Sequence, residues 1–81
     1  MIVVNSKREL KALIKQRIGE QGPNCDLNDI DVSGITDMSY IFFRSPFKGD
    51  ISNWDVSKVK IMTSIFHESP LHGKEPDWYK K

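Results

Sequence analysis

The chain has 81 residues, 38% of them hydrophobic and 28% charged, with a formal net charge of +1. That size admits one small domain that buries only about 60% of its unfolded surface, and the near-neutral balance excludes a large single-sign field built for nucleic acid or membrane. The lone cysteine, Cys25, excludes an internal disulfide framework and a multi-cysteine zinc site.

The N-terminal apolar run Ile2-Val3-Val4 stops at Asn5. A signal peptide needs about 7–15 apolar residues and a membrane helix about 20, so a cytoplasmic protein is expected, in keeping with the unpaired cysteine. The β-branched run suits a short edge strand. Ser6-Lys7-Arg8-Glu9 is a capping box, in which Glu9 would reach back to the Ser6 amide. Leu10, Leu13, Ile14 and Ile18 then form one helical apolar stripe, with Lys7, Arg8, Lys11, Lys15 and Arg17 mostly off it. The helix should end between Gly19 and Gly22, before Pro23. It reads as a solvated lid over one end of the core. It lacks the interleaved aromatics of a nucleic-acid platform, so nucleic acid is not the expected partner.

The next stretch repeats with a period of 24 residues. Leu27–Gly49 set against Ile51–Gly73 agrees at nine of 23 positions, among them Asp31/Asp55, Met38/Met62, Phe42/Phe66, Pro46/Pro70 and Gly49/Gly73. Trp78 follows Trp54 by the same interval. This divides a single domain into a cap (1–25), repeat 1 (26–49), repeat 2 (50–73) and a partial third repeat with a C-terminal edge (74–81). Such a period points to leucine-rich-repeat-like coils. Asp29–Val32 and Asn53–Val56 alternate polar and apolar residues, as short strands do, and Pro76–Tyr79 would supply the last strand. Ile35, Met38, Ile41 and Phe42, and their mates in repeat 2, would share one face of a short helix closed by Ser-Pro. Gly49 and Gly73 would allow tight turns. The expected fold is α/β: a small right-handed solenoid of short parallel strands alternating with short helices, capped by a strand and helix. Lys80 and Lys81 would act as charged terminators of the open edge.

The stretch "DVSGITDMSYIFFRSPFKGDISNWDVSKVKIMTSIFHESPLHG" resembles the BspA-like leucine-rich repeat family, most specifically at Asn53-Trp54-Asp55-Val56-Ser57. The resemblance implies a parallel solenoid that binds other proteins, many members being secreted or surface proteins that attach to host molecules. It also implies a bacterial or phage origin for so small a member.

Charge is unevenly spread: +3 over 1–25, −4 over 26–57 and +2 over 58–81. Asp29, Asn53 and Asp77 should line a polar column able to face a basic partner, while Asp31 and Asp55 suit Asx turns. Trp54 and Trp78 read as core. Tyr40, Phe43 and Tyr79 fall off the core phase and are candidate contact aromatics; Arg44 stands opposite Glu68, and Phe43 opposite His67. Nothing brings His67, His72 and Cys25 together, and no phosphate loop or catalytic carboxylate pair is present. Neither enzyme chemistry nor a cofactor or metal is therefore expected. The favoured function is a non-enzymatic protein-binding module, monomeric or self-pairing through the C-terminal edge. The alternatives are a small phage-borne or mobile-element inhibitor that blocks a nucleic-acid-binding enzyme, and nucleic-acid binding by the basic helix.

Overall fold

The computed structural model describes residues 1–79; Lys80 and Lys81, with the terminator role expected of them, lie outside the described residues. The β-branched opening forms β1 (Ile2–Val3), which pairs in parallel with β2 (Ile30–Asp31), Ile2 opposite Ile30. Between them runs α1 (Lys7–Gln21). Ser6 caps it, its Oγ accepting from the Glu9 amide at 3.2 Å. The Glu9 carboxylate reaches one residue further back than the capping box predicts, to the Asn5 amide at 3.0 Å. Gly22, at φ 87°, ends the helix by donating to the Ile18 carbonyl at 2.9 Å. Leu10 and Ile14 are buried under α1, and Leu13 and Ile18 half-buried beside them. Among the described residues no helix is long and apolar enough to cross a membrane.

The repeats differ from expectation in backbone and agree with it in packing. No helix forms over 35–44 or 59–68; successive turns run over 39–44 and 63–68, and Asp37 and Ile61 just before them form a parallel bridge. Tyr40, Arg44, Ser64 and Glu68 sit in the left-handed region at φ 54–60°, a conformation that breaks any α-helix. Turn bonds join Ile41 to Met38 and Ser45 to Phe42. The alternate N–H groups point sideways instead: Met38, Tyr40, Phe42 and Arg44 donate to the carbonyls of Ile61, Thr63, Ile65 and His67 at 2.9, 3.1, 3.0 and 3.2 Å. In a helix those donors would be committed to carbonyls four residues back. Here they tie repeat 1 to repeat 2. Met38, Ile41, Phe42, Ile65 and Phe66 are nonetheless buried, as the spacing predicts.

Asn53–Val56 and Pro76–Tyr79 are likewise not strands. Side chains replace a ladder there: Asn28 Oδ1 accepts from the Asn53 amide at 2.9 Å, and the Trp54 and Trp78 indoles donate to the Leu27 and Ile51 carbonyls at 2.9 and 2.8 Å. The recurrence of that indole bond one repeat later makes tryptophan a spacer between repeats as well as core. The ring of Phe42 stacks at 5.1 Å on Phe47, 5.8 Å on Trp54 and 5.6 Å on Phe66. Burying each such ring contributes about 1.5–3 kcal/mol, which a chain with no disulfide depends on.

Gly49 and Gly73 occupy one repeat position for different reasons. Gly73 has φ 88° and open space around it. Gly49 has an ordinary φ, but a Cβ there would lie 1.9 Å from the Cys25 carbonyl oxygen. The expected turn role of Gly49 is thus replaced by close backbone approach. Gly49→Ala should cost about 3 kcal/mol, at the upper end of overpacking, whereas Ser64→Gly should stay within about 0.5 kcal/mol of wild type because glycine accepts the left-handed backbone. Ser64→Val should lose about 2 kcal/mol. Urea unfolding of the three variants checks these values.

Aspartates hold the turns. Asp26, Asp31, Asp37, Asp50 and Asp55 each accept from the amide two residues on, at 2.8–3.0 Å. Hydrogen bonds from Ser33, Ser39, Ser52 and Ser57 hold Asp31, Asp37, Asp50 and Asp55 below the usual carboxylate range, and the Arg17 guanidinium does so for Asp29. Depressed carboxylates add stability that is complete above the unfolded value of about 3.9 and is lost as pH falls through the folded values. Urea midpoints should therefore hold steady from neutrality to about pH 5 and decline below about pH 4, and Asp29→Asn should flatten part of that decline.

Candidate functional site

Three of the seven sequence-predicted residues meet in one place. The left-handed turns at Tyr40 and Arg44 project their side chains outward on either side of Phe43. Tyr40 meets the Phe43 ring edge-on at 5.4 Å, His67 stacks parallel to it at 5.6 Å, and the Arg44 guanidinium lies 5.0 Å from its centroid. Arg44 is in turn paired with Glu68 through its Nε. The repeat register that set Phe43 opposite His67, and Arg44 opposite Glu68, is thus a physical contact. Tyr40 is 45% exposed and Phe43 half-buried, so the cluster offers a rigid aromatic face at low entropic cost.

Phe43 also walls a groove of about 530 Å³ between α1 and repeat 1. Its floor is Ile14, Ile18 and Ile41, its far wall Ser45 and Pro46, and its rim Lys11 and Lys15. The two lysines are one helical turn apart on α1 and both are exposed. Among the described residues no carboxylate lines the groove. Beyond it, the Lys7 ammonium bonds Ser39 Oγ at 2.9 Å and reaches the Asp37 carboxylate at 3.4 Å. The surface is therefore apolar within and cationic at the edge.

The other predicted residues lie elsewhere. Arg17 grips Asp29 with two bonds, at 2.9 and 2.6 Å, fastening the end of α1 to repeat 1. Asn53 lies with Asp31 and Asp55 on a separate polar hollow. Asp77 is exposed near the C-terminal end. Tyr79 is half-buried and packs edge-on at 5.0 Å against Phe66. Among the described residues no three metal-ligating side chains converge. Cys25 is buried, and burial pushes its thiol upward, away from the nucleophilic thiolate.

Lys11, Ala12, Lys15, Ser45 and Pro46 were not read from the sequence as the lining of one site. One sign was available: Gly19 aside, Ala12 is the sole small side chain in α1, and its shortness leaves room between the two lysines. Where α1 crosses repeat 1 is a tertiary fact with no local signature.

Among known families, a model described as "Mycoplasma protein of unknown function, DUF285" matches residues 10–75. No curated protein and no solved structure matches the chain. The family match takes in most of α1, both repeats and the groove between them, and the protein belongs to the DUF285 family.

Proposed function

We propose that the chain is a non-enzymatic protein-binding module of the BspA-like leucine-rich repeat kind, its helix-capped repeats forming the first coils of a right-handed solenoid. The single observation that carries this reading is the groove, an apolar trough rimmed by Lys11 and Lys15 and continuous with the Phe43 aromatic cluster. Buried aromatic anchors beside a polar rim are where binding energy concentrates in protein interfaces. The in-register bonds between repeats support the solenoid, since they hold the groove wall rigid before a partner arrives. A cytoplasmic location belongs to the same reading, in keeping with the buried, unpaired thiol.

The acidic section is a poorer recognition surface. All six of its carboxylates are engaged by neighbouring amides or by Arg17. This weighs against mimicry of a phosphate backbone by that section.

Affinity capture from host lysate, repeated with Phe43→Glu and with Lys11→Glu/Lys15→Glu, tests the reading. The partner held by wild type should be lost by at least about tenfold with either variant and retained by Asp77→Ala, while circular dichroism confirms that each variant is folded. The same proteins captured by wild type and both groove variants would overturn it.

A further inference from the structure

A trans peptide unit points its C=O and its N–H in opposite directions. In repeat 2 the carbonyls of Ile61, Thr63, Ile65 and His67 all accept from repeat 1. The N–H groups of the same four peptide units belong to Met62, Ser64, Phe66 and Glu68, and they point the other way, out of the C-terminal end. Among the described residues none of these four has an acceptor. Ser64 and Phe66 open onto a hollow of about 150 Å³ flanked by Tyr79. Tyr79 and Trp78 close the aromatic column at this end, at 5.0 and 6.2 Å from Phe66. The apolar core is thus finished where the hydrogen-bonding edge is not.

The unpaired donors stand at the repeat positions of Met38, Tyr40, Phe42 and Arg44, and Ser64 and Glu68 keep the left-handed backbone of Tyr40 and Arg44. What those four repeat 1 donors bind is known from the ladder already formed: four carbonyls at alternate residues of a coil of the same type. We infer that the repeat 2 edge is an interaction surface for a further coil of this repeat whose own acceptor carbonyls are not covered by a helix such as α1. An ordinary β-strand fits less well, because each outward-facing residue presents an N–H beside its C=O, and half of its groups would meet donors. Two copies of this edge brought together symmetrically would set N–H against N–H, so these four donors are not the groups that a self-pairing through the C-terminal edge would use. At the other end, α1 crosses repeat 1 and Lys7 holds Asp37 and Ser39, so this chain does not offer its own acceptor edge uncovered. The inference uses the end opposite the groove, and its failure would leave the groove reading standing.

The test titrates the full chain, labelled for amide NMR, with a synthetic peptide of residues Asp50–Gly73, which carries the acceptor carbonyls already proven against repeat 1. In the free chain the Met62, Ser64, Phe66 and Glu68 amides should exchange at least about a hundredfold faster than those of Met38, Tyr40, Phe42 and Arg44. Saturating peptide should shift the first four and slow their exchange by about tenfold or more, leaving the second four unmoved. Four outcomes would each overturn the proposal: no shift at millimolar peptide; the same shifts with a scrambled peptide; shifts confined to the repeat 1 amides, meaning that the peptide displaces repeat 2; or shifts at the edge produced by the chain's own self-association.

Discussion

The structure depends on the direction in which eight peptide units face. Along 37–44 and 61–68 the alternating turn and left-handed conformations swing each second peptide plane across the path of the chain. Repeat 1 thereby spends these donors on repeat 2 instead of on itself. Everything else follows from that choice. With the backbone turned sideways, Met38, Ile41 and Phe42 fall inward and stack over Ile65 and Phe66, and neither repeat could bury that face alone. Left-handed backbone at Tyr, Arg, Ser and Glu costs roughly 1–2 kcal/mol per residue. It persists because buried neighbours offset it at each position, and in repeat 1 the ladder bonds donated by Tyr40 and Arg44 add to this.

The Asx turns and the indole bonds complete the arrangement at the places where no ladder forms. Asp31 and Asp55 tighten equivalent corners, and Trp54 and Trp78 each fasten their own repeat to a carbonyl of the one before. Polar residues here act as fasteners, and so the acidic section is a set of engaged carboxylates and not an open field. Arg17 and Lys7 do the same work for the cap, one near each end of α1.

Much of this was legible in the chain itself. Ser6 and Glu9 marked the start of α1, and the recurrence of Asp31, Met38, Phe42 and Pro46 fixed the repeat register closely enough to set Phe43 beside His67 and Arg44 beside Glu68. The apolar spacing identified the buried residues of both repeats but named the wrong local conformation, because a helix and a run of tight turns can present the same side chains to one face. The usual sign of left-handed backbone is glycine or asparagine, and Tyr40, Arg44, Ser64 and Glu68 carry none of it. Gly49 was recognisable as special, though its reason, the carbonyl of Cys25, lies 24 residues away. The groove was the least visible feature, since its two walls come from elements that only tertiary packing brings together.

The sideways peptide units also give the molecule an electrical direction. Their carbonyls all face the end that α1 covers and their N–H groups the opposite end, so their dipoles add through both repeats as they do along an α-helix. The carbonyl end is the negative pole. Lys7, on α1, is held against this end by Ser39 and Asp37, in the relation that cations bear to the C-terminus of a helix. The basic cap thus also supplies, through Lys7, a counter-charge to the repeats beneath it.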